Sequence, residues 1–352
     1  MQEEDNVEIT ISELKERLRG SLTDVEAMKM LADYYLYRNM PAEAKYLYEK
    51  ALETAPGNPT VKFGIATYKY NTDDKAAALN ILKEVTAENP DFEPAFALLG
   101  TLLAEDHLLD DAIAALAKAA ELEPENTEVL YQLGNLYDDN DMPEEAVKIY
   151  EQILETDPEF AQAHNAIGIL HLDNEEWDEA ISRFRKALSI DPTYSNAHLN
   201  LGTAFLSHES FSAQDAEDEF NLAIKTDPSN ADAYIALGEF YYNEEKWRRA
   251  LDCFEKAVAS DSESAPAHYN LGNAFFAIGD MDEAQLAYTK AVALDNGFAD
   301  PHYWLAKVFS KHDNYGLEAA IHLKRYLELD PEGEWAEEAG KLLETLRADW
   351  PV

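Results

Sequence analysis

The residues best suited to chemistry in this sequence are histidines followed closely by asparagines. The stretch AHYNLGNAFF, residues 267–276, holds His268, Asn270 and Asn273, and AHLNLG at 197–202 repeats the pattern with His198 and Asn200. A histidine can act as a general base near neutral pH or as a metal ligand. An asparagine amide offers a donor and an acceptor, which suits binding of a peptide backbone. The pattern therefore indicates either a chemical site or a recurring feature of the architecture.

Motifs that would support catalysis are missing from the sequence. It contains no G-x-G-x-x-G, G-x-x-x-x-G-K-[ST], H-E-x-x-H or G-x-S-x-G pattern. The acidic loop at 138–141 lacks the glycine and terminal glutamate of a calcium-binding loop. Cys253 is the only cysteine, which excludes an internal disulfide and a cysteine-based metal site. We therefore expect no enzymatic activity, no cofactor and no metal.

The charge of the chain limits its partners. It has 352 residues and a net charge of −42, from 70 acidic and 28 basic residues. This charge disfavours nucleic acid and anionic membranes, and it would steer a basic partner towards the protein. Acidic residues spread along the chain are also typical of solvated helix faces, so both interpretations stay open. We find no apolar run long enough for direct membrane insertion and no secretory signal, and we expect a cytoplasmic protein.

The elements that position these residues follow a repeat of 34 residues. Prolines, glycines and alanines recur in register along the chain. The prolines are Pro56, Pro90, Pro124, Pro158, Pro192 and Pro228, the glycines are Gly100, Gly134, Gly168, Gly202, Gly238 and Gly272, and the alanines are Ala112, Ala146, Ala180, Ala216, Ala250 and Ala284. This period predicts an all-α helix–turn–helix solenoid. A glycine inside a helix costs about 1 kcal/mol relative to alanine, so its recurrence indicates a close helix contact.

These residues resemble the tetratricopeptide repeat family. Residues 231–264 carry its pattern at Tyr234, Leu237, Gly238, Tyr241, Ala250, Phe254 and Ala257. The resemblance implies a right-handed α-solenoid of about nine repeats over residues 25–332, starting near 25, 59, 93, 127, 161, 195, 231, 265 and 299. We expect a segment at 1–24 with a possible short helix at 9–19, and a C-terminal capping helix within 333–352.

The repeat register separates structural positions from binding positions. In this family, position 4 packs against a neighbouring helix, which predicts structural roles for His164, His198, His268 and His302. The concave surface is formed by positions 2, 5, 6, 9 and 12. The partner-binding residues that this implies are Tyr131, Asn135, Asn165, Asn200, Thr203, Tyr242, Tyr269, Asn270, Asn273, Phe276 and Tyr303. These asparagines resemble those lining the repeats of the O-linked N-acetylglucosamine transferase family.

The resemblance implies a scaffold that binds an extended peptide or partner segment, neutral to basic, in its groove. One alternative is an acidic chaperone or assembly factor that shields a basic client. Another is self-association, with one molecule's end in another's groove. The carboxylate clamp of some family members is not matched, because Lys29 is followed by Asp33 where asparagine is required and the basic residues at positions 2 and 6 are missing. We therefore do not expect binding to the acidic tails of heat-shock chaperones.

Overall fold

The computed structural model describes residues 2–311 and 315–349, with side chains described for 11–311 and 315–346. These residues form twenty α-helices and no strand. The chain starts with α1 (Gln2–Gly20) and ends with α20 (Ala336–Asp349). Between them lie nine pairs: α2 (Val25–Tyr37) with α3 (Pro41–Thr54), α4 (Pro59–Asn71) with α5 (Lys75–Glu88), α6 (Glu93–Glu105) with α7 (Leu109–Leu122), α8 (Thr127–Asp139) with α9 (Pro143–Thr156), α10 (Ala161–Asp173) with α11 (Trp177–Ile190), α12 (Ser195–Ser207) with α13 (Ala213–Thr226), α14 (Ala231–Asn243) with α15 (Trp247–Ser260), α16 (Ala265–Ile278) with α17 (Met281–Leu294), and α18 (Ala299–Phe309) with α19 (Gly316–Leu329). In each pair we call the helix that comes first in the chain the first helix and the other the second helix.

A tight turn joins the two helices of most pairs. One residue of this turn adopts the left-handed backbone conformation, for example Asp141 (φ 54°), Glu245 (φ 57°) and Gly279 (φ 92°). The prolines of the 34-residue period lie just beyond the second helices, as Pro56 follows α3 and Pro192 follows α11. Proline cannot continue a helix, so the proline positions in the sequence predict where these pairs end.

The recurring glycine makes room for a large side chain of the second helix. A Cβ atom added at Gly272 would lie 2.6 Å from the ring of Tyr288, and one at Gly238 would lie 2.4 Å from the ring of Phe254. These rings are fully buried. The sequence suggested a close approach of two helix backbones, but the space at the glycine is filled by a ring of the second helix. In the second pair, Gly64 makes the same space for Tyr48 of the pair before it.

The irregular positions of the repeat lie in turns. The insertion in the sixth pair folds back, so that Phe211 stacks on Phe205 with 4.0 Å between ring centroids and Arg185 lies over both rings. The extra residue that the sequence indicates before Ala319 falls beside residues 312–314, which lie outside the described residues.

The terminal helices differ in length from the sequence expectation. Helix α1 covers residues 2–20, whereas the pattern of apolar residues predicts only 9–19. Helix α20 ends at Asp349, and residues 350–352 of the expected C-terminal segment lie outside the described residues.

The chain divides into two compact units, unit 1 (Met1–Ala163) and unit 2 (His164–Val352). Each is a stack of helix pairs with an apolar core between neighbouring pairs. No helix in the described part of either unit has the length and apolar character needed to cross a membrane.

Candidate functional site

The predicted binding residues of unit 2 lie mainly on consecutive first helices. We use the name first-helix face for the surface formed in unit 2 by Glu239 and Tyr242 of α14, Tyr269, Asn270 and Asn273 of α16, and Trp304 of α18. The helices meet through side chains: Asn270 hydrogen-bonds Glu239, and Phe276 packs edge-on against Trp304 with 5.1 Å between ring centroids. Asn165, Asn200 and Thr203 lie on the earlier first helices α10 and α12 of the same unit.

The asparagines at position 9 hold buried tyrosines. The hydroxyl of Tyr150 donates to Asn135 Oδ1 at 2.7 Å, and that of Tyr288 donates to Asn273 Oδ1 at 2.8 Å. Both tyrosines are fully buried, and a buried hydroxyl without a partner costs about 1–3 kcal/mol. The oxygens of these two amides are therefore already used by the fold.

The amides at position 6 connect one repeat to the next. Asn200 Nδ2 donates to Asn165 Oδ1 at 3.0 Å, and Asn270 Nδ2 donates to Glu239 Oε1 at 2.8 Å. Asn165 and Asn270 are only 4% and 8% exposed. Thr203 donates within its own helix to the carbonyl of Leu199 at 3.1 Å. The two-point grip on a peptide backbone expected from the sequence thus does not fit these amides, because one hydrogen-bonding group of each is taken.

Two of the predicted aromatic residues form equivalent clusters, one in each unit. Tyr131 packs on Tyr150 and Phe160, with centroids 5.9 and 5.6 Å away. Tyr269 packs on Tyr288 and Phe298, with centroids 6.1 and 5.1 Å away. Burial raises the pKa of Tyr269 to about 12, so its phenol is neutral at physiological pH. Both tyrosines stay partly exposed and offer an aromatic surface.

Two of the predicted residues are not freely available at the surface. Tyr303 is fully buried, because Trp335 stacks on it with 5.2 Å between centroids and 8° between ring planes. The segment before α20 thus covers the face of the last pair, and a partner would have no access to Tyr303 in this arrangement. Phe276 is partly exposed, but Lys311 Nζ lies 4.4 Å from its ring centroid.

A carboxylate outside the predicted set stands out on the first-helix face. Glu239 is exposed, accepts the hydrogen bond from Asn270, and has no ion-pair partner among the described residues. It lies one helical turn from Tyr242, so the two side chains share a face. Protein on either side desolvates this carboxylate and raises its pKa, while the Asn270 amide opposes the rise. Position 9 of the register places Glu239 on the concave surface, but asparagines and aromatics were preferred as partner-binding residues.

Two histidines of position 4 form hydrogen bonds with the turn that connects their repeat to the one before. His198 Nε2 donates to the carbonyl of Pro192 at 3.2 Å, and its Nδ1 lies 2.6 Å from Glu219. His268 Nε2 donates to the carbonyl of Ser262 at 3.1 Å. Each ring therefore links a first helix to the turn before it. Across the described residues, no three His, Cys, Asp or Glu side chains come together as a possible metal site.

The paired helices, the ring-filled glycine positions and the histidine-linked turns define a helical repeat protein. Profiles described as tetratricopeptide repeat match residues 35–103, 103–170 and 235–301, and one described as TPR repeat matches 170–208. Together they cover more than half of the sequence. The chain belongs to the tetratricopeptide repeat family.

Solved structures share this fold. A tetratricopeptide repeat protein from Parabacteroides merdae is similar with a TM-score of 0.59 and 19% identity, over 72% of this chain and 97% of that one. MamA is similar over 47% of this chain and 95% of its own, with 24% identity and a TM-score of 0.39. YrrB, described as a TPR protein with an unusual peptide-binding site, is similar over 55% and 99%, with 22% identity and a TM-score of 0.42. No curated protein sequence matches.

Proposed function

We propose that the protein is a non-enzymatic interaction scaffold, and that the first-helix face of unit 2 binds an extended segment of a partner protein. Membership of a family of protein-interaction scaffolds supports the general role. The finer assignment depends on one observation: Glu239 is an exposed carboxylate that accepts from Asn270, has no ion-pair partner among the described residues, and lies one helical turn from Tyr242. Such a site suits a lysine or arginine side chain, which would pair with the carboxylate and lie against the rings.

A second carboxylate supports a basic rather than a neutral ligand. Asp300 follows Phe298, the ring that packs on Tyr269, at the start of α18. Burial raises the pKa of Asp300, and the nearby Asp330 and Glu334 raise it further. A cation bound along this face would relieve that repulsion. Tyr269 lies on α16, between the first helices that carry the two carboxylates.

The remaining predicted residues keep a place in the proposal as neighbours of the bound segment. Tyr242 and Tyr269 would supply the aromatic contact. Asn200, which is partly exposed, would offer its carboxamide oxygen, because its nitrogen already donates within the fold, whereas the buried Asn270 would act by holding Glu239. Tyr131 and Asn135 would form a corresponding contact in unit 1.

The test is a selection of peptides from a random display library on the full chain, followed by titration calorimetry. Selected peptides should contain lysine or arginine. Glu239→Gln should weaken binding about tenfold, since it removes the charge but can still accept from Asn270. The matched control is Glu255→Gln, which changes an exposed carboxylate on the second helix α15. Equal affinity of the Glu239→Gln and wild-type proteins, or equal losses in both variants, would refute the assignment.

The second candidate function is an acidic assembly factor for a basic client. The net charge of −42 favours it, because a highly charged client would be attracted from a distance. Salt separates the two. A client held by the overall charge should lose affinity by orders of magnitude between 0.05 and 0.5 M NaCl. A peptide held at Glu239 and the adjacent rings should lose only a few-fold, and should keep its sensitivity to Glu239→Gln in high salt.

A further inference from the structure

The acidic charge of this chain is not evenly distributed, contrary to the expectation from its composition. Residues 91–352 contain 54 acidic and 17 basic residues, whereas residues 11–90 contain 12 acidic and 11 basic. Within residues 11–50 the numbers are equal, at seven each. Residues 1–10 add four acidic and no basic residues, so residues 11–90 are close to neutral and residues 1–90 as a whole are only mildly acidic. The remainder of the chain is strongly acidic and repels any copy of itself.

The neutral part also exposes large apolar side chains. Leu22, Tyr37 and Tyr46 are 80%, 88% and 61% exposed, and Met30 and Met40 are about 40% exposed. Single exposed apolar residues are ordinary on protein surfaces, but a concentration of them is typical of an interface. We call residues 11–50, which include the second half of α1, α2 and most of α3, the neutral end.

A cleft in the neutral end can receive an apolar side chain. It has a volume of about 530 Å³ and lies between α1 and α3. Leu31 and Tyr35 line it from α2, and Lys15, Glu43 and Tyr46 line it from α1 and α3. Lys15 and Glu43 are both exposed, and neither makes an ion pair with another described residue.

We propose that the neutral end is the interface of a homodimer, in which two copies meet through the same surface. A twofold interface must complement itself, and this one carries apolar residues together with one cation and one anion at the same cleft. Lys15 of one copy would face Glu43 of the other, and Tyr46 would contact the cleft of the other copy. No such approach is open to the acidic remainder, since like charges across an interface are strongly unfavourable. The proposal does not depend on peptide binding by unit 2.

The test is sedimentation velocity of the full chain over a range of concentrations, at 0.05 and 0.5 M NaCl. We expect a dimer that tightens at high salt, because the salt screens the repulsion between the acidic parts. Tyr46→Glu should abolish it. Leu286→Glu, a change at a residue of α17 that is 63% exposed, should not. A monomer at all concentrations, or a dimer lost with Leu286→Glu but kept with Tyr46→Glu, would overturn the proposal.

Charge reversal tests the symmetry of the interface. Lys15→Glu and Glu43→Lys should each weaken the dimer about tenfold, because a twofold interface contains every altered contact twice. The double variant should regain most of the affinity, since it restores opposite charges with their positions exchanged. Failure of the double variant to recover, while circular dichroism shows an unchanged helical content, would exclude the proposed pairing.

Discussion

At the scale of single residues, three buried tyrosines share one arrangement. The hydroxyls of Tyr48, Tyr150 and Tyr288 each donate to a side chain 15 residues earlier, at Asp33, Asn135 and Asn273 respectively. In the sixth pair the buried ring is Phe220, and the position corresponding to Asn273 is Thr203. A phenylalanine has no hydroxyl to satisfy, so no amide is needed there. The pairing explains why asparagine recurs at position 9 without any reference to a ligand.

The Asn273–Tyr288 pair predicts a non-additive effect on stability. Asn273→Thr alone should lower the free energy of unfolding by about 1–3 kcal/mol, because it removes the acceptor of a buried hydroxyl. Combining it with Tyr288→Phe reproduces the residues of the sixth pair and should recover part of that loss. Urea unfolding of the two single variants and the double variant measures the coupling. Simple additivity of the losses would show that the hydrogen bond does not link the two residues.

A buried histidine, His302, and a partly buried one, His322, make the last helix pair sensitive to acid. His302 Nδ1 and His322 Nδ1 lie 2.9 Å apart, so at least one of the rings must be neutral there. Burial and the neighbouring ring lower the pKa of His322 to about 4, and burial also lowers that of His302. In the unfolded chain these rings titrate near 6.5, so between these values the unfolded state binds more protons. Acid therefore favours unfolding.

We expect the contribution of this histidine pair to the free energy of unfolding to decrease as the pH falls from about 6.5 to 4. His322→Leu removes one of the two rings and should reduce this decrease relative to the wild-type chain. Chemical unfolding at several pH values, compared between the two proteins, measures the difference. An exposed histidine, His107, provides the matched control through His107→Gln. An identical pH dependence in the wild-type and His322→Leu proteins would contradict this account.

The repeat register predicts which residues occupy equivalent positions, but it does not predict which residues they contact. The role of His198 in linking repeats follows from position 4 and was predicted as structural. The use of Asn200 and Asn270 in hydrogen bonds between repeats was not, because their partners lie 35 and 31 residues away. Such partners depend on how far neighbouring first helices approach one another, and sequence spacing does not contain that distance.

At the scale of elements, the turns within the pairs impose a backbone conformation that few side chains favour. The left-handed turn position is occupied by Asn39, Asp73, His107, Asp141, Glu175, Glu245 and Gly279. Glycine adopts this conformation without a steric penalty, and asparagine and aspartate tolerate it better than most residues. Glutamate has neither advantage. The constant position shows that the geometry of the pair, rather than the preference of the residue, sets the turn.

Replacing a strained residue in this turn should stabilise the fold. Glu245→Gly should raise the free energy of unfolding by about 1 kcal/mol, and Gly279→Ala should lower it by about the same amount. A Cβ at Gly279 would meet no atom within 4 Å, so the second change tests the backbone alone. Thermal and urea unfolding measure both effects. A lower stability of Glu245→Gly would mean that the cost of the glycine in the unfolded chain exceeds the relief of strain.

The helices themselves were largely predictable. Proline recurs where a helix ends, glycine where a ring needs space, and alanine where two helices lie close together. Because every pair needs these three features, their spacing predicts the fold. The expected short N-terminal helix was the main departure. Helix α1 extends to Gln2, into an acidic stretch whose lack of apolar periodicity gave no sign of it.

At the scale of the whole molecule, charge divides the chain more sharply than the fold does. The same repeat is built from start to end, but the near-neutral composition of residues 11–90 gives way to 54 acidic against 17 basic residues in 91–352. The repeat positions that face solvent can vary without changing the architecture. The net charge alone does not reveal this difference, because it contains no information on where along the chain the acidic residues lie.

Partner binding by the first-helix face of unit 2 can be tested directly. The most direct measurement is photo-crosslinking of a selected peptide to full-length protein carrying a photoreactive amino acid in place of Tyr242. The control carries it in place of Leu286, which is exposed on the second helix α17. We expect crosslinked product at position 242 that an excess of unlabelled peptide removes, and none at 286. Crosslinking at 286 with none at 242 would contradict the claim.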